Sequence, residues 1–284
     1  MRKFIISTEK TCDLPNNLIS EYNIYTTNMR YSIDDVEYGD DNDISNKEFC
    51  DKMRNGSIMK TTSVNTYDAE MYFKELLKEG KDILHISFTS GMSGSFNNIN
   101  SVANEINKTS KNKIYIIDSL CACSGQGLLC LLASEEADKG KDITDVVKYI
   151  ESIKLNICHL FTVDNLKYLV QGGRVSKVKA TIGTVLQIKP VLHLNNEGKI
   201  VQCSNVISRK KAIMTLCDDF IKKFSNISDK IIISHADCKE DAELLASFIK
   251  KKSNKDCLIC ELGHVICSHS GPGTLALFFV GNPR

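Results

Sequence analysis

No stretch of this 284-residue sequence approaches the ~20 consecutive apolar residues that a bilayer-spanning helix needs. The N-terminal segment carries one short apolar run, Phe4 to Ile6, far below the hydrophobic region of a secretion signal. A cytoplasmic protein without stable membrane insertion is therefore expected. An excess of charge is missing as well: 36 Lys+Arg face 35 Asp+Glu, so no overall field recruits nucleic acid or an anionic membrane surface. Partners must be recognised locally. Repeats, coiled-coil heptads and low-complexity linkers are lacking too. So are nucleotide signatures, since Gly125-Gln126-Gly127 has no third glycine and nothing fits G-x-x-x-x-G-K-S/T, which argues against a kinase or dehydrogenase.

What is present is ordinary globular composition, 42% hydrophobic and 25% charged, on a chain long enough for one large or two medium domains. Cysteine is plentiful at twelve. The cysteines scatter through a long chain, and several sit inside apolar runs, as Cys130 and Cys158 do, so reduced core thiols fit better than a disulfide scaffold. Near the C-terminus Cys257 and Cys260 form C-x-x-C, with His264, Cys267 and His269 close behind and Cys238 upstream. The stretch DCLICELGHVIC reads as β-type apolar sequence without the turn residues of a zinc knuckle, so buried strand thiols are expected and no metal is assigned.

The runs Phe4 to Ser7, Ile83 to Ser87 and Ile114 to Asp118 read as strands separated by segments of helical period, the pattern of β-α-β units. Tyr67 to Glu79 predicts a helix with Met71, Leu76 and Leu77 near one face and a stop at Gly80. Ser45 with Glu48 forms a capping box for a helix ending near Gly56. Both helices are expected to flank a parallel sheet. Past about residue 155 the pattern changes. Ile157 to Val163 and Pro190 to Leu194 read as strands, and Asn195 to Gly198 turns the latter into Lys199 to Ser204. A helix over Ser208 to Phe224, a strand over Ile231 to His235, a helix over Lys239 to Lys251 and strands at Leu258 to Glu261 and Leu275 to Val280 complete the chain. The reading is α/β in two closely packed domains, a Rossmann-like parallel sheet over 1–155 and an α+β domain over 156–284.

Three clusters rich in hydroxyls and glycine adjoin these elements: Lys60-Thr61-Thr62-Ser63, Thr89 to Ser95, and Ser268 to Gly273. The second joins a strand's carboxyl end to a helix starting near Ser95, a natural anion site. Helix capping by Ser95 and Thr66, with glycines that merely turn the chain, is the rival reading. A nucleophilic Ser93 is another. The local pattern Gly91-Met92-Ser93-Gly94-Ser95 is G-x-S-G-S, however, and misses the last glycine of an esterase elbow, while His269 and Asp118 complete a triad only on paper. Gly172-Gly173-Arg174-Val175-Ser176 has two glycines ending a helix and exposing one of the chain's few arginines beside Lys177 and Lys179.

Taken in order, these motifs resemble those of the DegV family of bacterial fatty-acid-binding proteins. Ser7-Thr8 with Asp13-Leu14-Pro15 resembles the family's opening S-T-x-D-L-P, here stretched by Glu9 to Cys12, and Lys60 to Ser63 resembles K-T-S-Q. Ser93 to Phe96 resembles S-G-T-Y, Ile117-Asp118-Ser119 resembles I-D-S, Gly172 to Ser176 resembles G-G-R-I-S, and His269 to Gly273 resembles H-T-G-P-G. The resemblance implies a two-domain carrier that is not itself an enzyme, has no cofactor, and buries one long-chain fatty acid with the carboxylate near the domain boundary. Thr61 and Ser93 match carboxylate-holding positions, with Thr62 and Gly94 beside them, and Arg174 and His269 match positions around the headgroup. It also implies a partner, the ATP-binding subunit of a fatty acid kinase, which phosphorylates the bound carboxylate for phospholipid synthesis. Two departures bear on this. Ser63-Val64-Asn65 stands where the family more often has Q-P-S, and Ile207 stands where arginine is frequent, leaving Arg209, Lys210 and Lys211 to face an acidic partner.

Overall fold

In the computed structural model, residues 2–39, 42–174, 188–282 and 284 are described. Val175, Ser176, Lys177 and Lys179 lie outside the described residues. The chain opens with β1 (Phe4–Glu9), α1 (Asn16–Glu21), β2 (Ile24–Thr27), β3 (Tyr31–Ile33), β4 (Val36–Tyr38), α2 (Asn46–Arg54) and β5 (Met59–Thr61). Next come α3 (Thr66–Leu77), β6 (Asp82–Ser87), α4 (Ser95–Thr109), β7 (Ile114–Asp118), α5 (Ser124–Asp138) and α6 (Ile143–Ile153). Then follow β8 (Ile157–Thr162), α7 (Lys167–Gln171), β9 (Ile188–Leu194), β10 (Ile200–Ile207) and α8 (Arg209–Lys223). The remainder is β11 (Ile231–His235), α9 (Lys239–Ser253), β12 (Leu258–Glu261), α10 (His264–Ser270) and β13 (Leu275–Val280).

These elements form two compact units, Met1–Met29 with Thr62–Lys154 and Arg30–Thr61 with Leu155–Arg284. A single cut at residue 155 therefore misplaces 30–61. In that segment β3, β4 and β5 make their own antiparallel sheet, and both α2 and β5 pack on α10, which the sequence supplies more than 200 residues later. The capping box at its start is real, with Ser45 Oγ accepting from the Glu48 amide, but α2 flanks α10 rather than the parallel sheet.

In the first unit the order β2-β1-β6-β7 is parallel throughout. Helices cover such a sheet, so β1 and β6 are buried along nearly their whole length instead of on alternate residues. Asn65 caps α3 by accepting from the Asp68 amide, and the chain leaves the helix through Gly80 at φ +70°. The buried stripe is Ala69, Phe73 and Leu76, packed on Ile5, Ile83, Ile99 and Ile114, and Phe73 and Leu76 each contribute about 1.5 to 3 kcal/mol by leaving water. Met71, expected on that face, is 52% exposed, because five residues of helix separate it from Leu76 by about 140°. Helix α5 is buried almost all round. Gly127 makes that possible: a β-carbon there would stand 2.7 Å from the Cys12 carbonyl.

The second unit holds a six-stranded sheet, β10-β9-β8-β13-β11-β12, antiparallel except where β12 runs parallel to β11. The β9–β10 hairpin turns at Gly198, φ +68°, and contains an irregularity between Gln202 and Ser204. Helices α8 and α9 bury Ile213, Leu216, Phe220, Leu245 and Ile249 against Leu160, Ile231, Ile233, Leu277 and Phe279. The C-terminal apolar stretch is not all strand. Only Leu258–Glu261 pairs in the sheet, and after Gly263 the residues His264 to Ser270 turn into α10, placing Cys267, Ser268 and Ser270 inward.

Candidate functional site

Strand β5 ends on Thr61, and α10 carries His269 to meet it: Thr61 Oγ1 and His269 Nε2 are 2.8 Å apart. Over the other edge of the imidazole lies the end of α7. A β-carbon at Gly172 would fall 2.5 Å from His269 Nδ1, so only glycine allows this approach. The chain then turns through Gly173 at φ +67° into Arg174, whose guanidinium donates to the Gly172 carbonyl. Burial, and then the Arg174 charge, push the His269 imidazole down to about 4, so the ring is neutral at physiological pH. Among the described residues its Nδ1 is buried without a hydrogen-bond partner.

A second glycine locks the same helix. Gly271 closes α10 at φ +83°, and a β-carbon there would overlap the Tyr168 ring at 2.0 Å. Tyr168 reaches on to the Met53 carbonyl at 3.4 Å, so α7, α10 and α2 meet at one point. The outcome is a hydroxyl, a neutral imidazole and a cation brought together by three segments distant in sequence. Such a group suits a small anion needing direction: the hydroxyl donates, the imidazole fixes the hydroxyl's rotor, and the guanidinium supplies charge.

Ser93 and Gly94 belong to the first unit, on the loop from β6 into α4. Half-buried Ser93 accepts from the Ser95 amide at 3.1 Å, and the Ser95 hydroxyl accepts from the Val64 amide at 3.0 Å. Gly94 is exposed and has open space where a β-carbon would stand. Thr66 does not cap α3, since Asn65 does. Asp118 accepts from the Ser90 amide and hydroxyl and from the Leu120 amide, which commits its carboxylate to shaping loops. Thr62 is exposed and falls in the first unit, one residue past the boundary from Thr61.

Arg209 is held by carboxylates. It begins α8, pairs with Asp241 at 2.7 Å and approaches Asp164 at 3.8 Å, and its side chain is only 18% exposed. Lys210 and Lys211, which follow it, are both exposed. Among the described residues, no group of three or more His, Cys, Asp or Glu side chains is placed to hold a metal ion.

The sequence reading missed a buried polar network in the first unit. Glu9 is fully buried, and its carboxylate accepts from the Ser87 hydroxyl at 2.7 Å, the Phe88 amide at 3.0 Å and Gln126 Nε2 at 2.6 Å. His85 Nε2 lies 3.8 Å from the carboxylate, and His85 Nδ1 lies 2.9 Å from Ser7 Oγ. Burial pushes the Glu9 carboxyl up, but His85, Ser87 and the Phe88 amide outweigh it and hold the group below the ordinary range. The one available signal was a run of three polar residues, Ser7, Thr8 and Glu9, closing a strand that opens on Phe4, Ile5 and Ile6.

Comparison with known proteins agrees with this architecture. The model of the family described as "Uncharacterised protein, DegV family" matches residues 3–282. A DegV domain-containing protein of Clostridium perfringens is 38% identical over 290 aligned positions, covering 100% of this chain and 99% of the relative. Among solved structures, a fatty acid binding DegV family protein from Streptococcus agalactiae superposes with a TM-score of 0.87 at 28% identity, covering 100% of both chains. A DegV family protein from Thermus thermophilus, described for its fatty acid binding, gives a TM-score of 0.88 at 25% identity over 98% of this chain and 99% of that one.

Proposed function

This chain belongs to the DegV family, and we propose that it binds one long-chain fatty acid, with Thr61 donating to the ligand carboxylate beside His269 and Arg174. The observation that carries the reading is the 2.8 Å contact between Thr61 Oγ1 and His269 Nε2. If the imidazole proton sits on Nε2, it donates to Thr61 Oγ1 and leaves the threonine proton for a carboxylate oxygen. The opposite tautomer would consume that proton. The Arg174 charge favours the first arrangement by stabilising a bare lone pair on Nδ1, the atom left without a partner among the described residues. Ser93 and Gly94 are proposed as a second headgroup loop, on the strength of their hydroxyl and open backbone at the start of α4.

A tail of ~15 methylenes at about 0.8 kcal/mol each offers on the order of 10 kcal/mol before ordering costs, so the head group needs to set direction more than affinity. A carrier that presents its carboxylate to a separate fatty acid kinase, for acyl phosphate formation and phospholipid synthesis, follows from the family resemblance. The absence of any nucleotide motif in the chain leaves ATP to the partner. A lipid hydrolase with Ser93 as nucleophile is the competing reading. Its distinguishing test is a fluorophosphonate probe: the carrier reading expects Ser93 to stay unlabelled while added palmitate binds, and stoichiometric labelling of Ser93 would replace it with the hydrolase.

A further inference from the structure

Two thiols from segments far apart in sequence face each other in the second unit. Cys50 Sγ on α2 and Cys267 Sγ on α10 are 3.7 Å apart, and Met53 Sδ, one turn along α2, is 3.9 Å from Cys267 Sγ. Both cysteines are thiols rather than disulfide sulfurs and both are buried, at 1% and 2% exposure. We propose that Cys50 and Cys267 form a redox couple, oxidised to a disulfide that staples α2 to α10 directly behind the His269–Thr61 pair. The sulfurs must close by about 1.7 Å to reach the ~2.05 Å bond length, a movement within the reach of side-chain rotation and a small helix shift.

Either thiol can donate its S–H to the other, and that contact is the principal cause of a Cys50 thiol held below its ordinary value, against burial and the Asp237 charge. Either sulfur can attack first with the same disulfide as product, and Cys50 is taken as the attacking one. Taking hydrogen peroxide as oxidant, the Cys50 thiolate attacks one peroxide oxygen and breaks the O–O bond. Sulfur keeps one oxygen as sulfenic acid, and the other leaves as hydroxide and is protonated to water. Cys267 then loses its proton and attacks the sulfenyl sulfur; the S–S bond forms, the S–O bond breaks, and a second water departs. Both sulfurs are oxidised, and the peroxide is reduced to two waters.

The staple acts on the site through α10. This helix has only seven residues, and Cys267 lies two before His269. Drawing Cys267 toward α2 moves His269 relative to Thr61 and Gly172, whose close approach leaves no slack on the other side of the ring. This second step rests on the fatty-acid reading, whereas the disulfide does not, and the experiment separates the two.

The intact protein is treated with hydrogen peroxide, its remaining thiols are alkylated after denaturation, and its peptides are mapped by mass spectrometry with and without a reductant. A reducible peptide pair containing Cys50 and Cys267, lost in Cys50→Ser and in Cys267→Ser and kept in Cys203→Ser, is the expected result. Full alkylation of both Cys50 and Cys267 after peroxide has oxidised the exposed Cys203 would overturn it. Palmitate binding by the mapped, oxidised protein is then compared with the reduced form. A several-fold change that reductant reverses places the couple behind the binding site. Equal affinity in both forms removes the link to His269 and leaves the disulfide standing, and no binding in either form rejects the fatty-acid reading alone.

Discussion

Thr61 Oγ1 and His269 Nε2 share a hydrogen bond of 2.8 Å across 208 residues of sequence. That bond joins the last residue of a three-residue strand to a seven-residue helix, two elements too short to hold position by themselves. Thr61→Val keeps the shape of the side chain and removes its proton. Palmitate affinity should fall by about 1.5 to 3 kcal/mol, roughly 10- to 150-fold, by titration calorimetry.

His269 should remain neutral well below the usual histidine range. Burial comes first and Arg174 second in depressing it to about 4. A proton-detected titration should show no His269 transition between pH 8 and 5. In Arg174→Ala the transition should move up while staying below 6.5, because burial is untouched. A midpoint of 6.5 in the unmodified protein would remove the basis for the Nε2–H tautomer.

The same depression has a sign in stability. An imidazole whose folded pKa lies below its unfolded value supports the fold fully above about pH 6.5. This contribution is lost as the pH falls from there toward 4, where the folded group also protonates. Stability measured by urea denaturation should therefore vary less over that window in His269→Gln than in the parent. The comparison is a difference, so the other depressed histidines, His193, His235 and His264, cancel.

Much of the scaffold was legible in the residues, and the site less so. Strands β11 and β13 and the glycine-ended helix α7 follow from local pattern, because buried apolar runs and glycine stops act within a few residues. Thr61 and His269 were each singled out by motif. Their contact was not legible, since it depends on 30–61 crossing into the other unit, and no local signal marks a crossing. Tyr168 escaped for the same reason: its role is visible only once Gly271 lies against its ring.

Gly271→Ala tests that packing. The new methyl meets the Tyr168 ring at 2.0 Å on a backbone at φ +83°, so the loss should be about 2 to 4 kcal/mol in thermal or urea unfolding. Tyr168→Ala in the same chain should relieve the overlap, so that relative to Tyr168→Ala alone only the strain of alanine at φ +83° and ψ 166°, about 1 to 3 kcal/mol, is left. Additive losses in the double variant would show that the two residues do not bear on each other.

Glu9 should contribute to the acid sensitivity of the first unit. Its folded carboxyl sits below the ordinary value of 4.5, so its contribution is present above that pH and is lost as the pH falls through the folded value. Glu9→Gln should cost about 2 to 4 kcal/mol at pH 7, because an amide nitrogen replaces an acceptor among the Ser87, Phe88 and Gln126 donors. The variant's stability should also fall less steeply than the parent's below pH 4.5. Parallel acid limbs would assign the acid sensitivity elsewhere.

The central claim is tested most directly by native mass spectrometry of the purified protein followed by denaturing extraction. One long-chain fatty acid per chain should leave with unfolding, and added palmitate should replace it in the folded protein. Protein that is repeatedly recovered without ligand and that refuses added fatty acid would contradict the account.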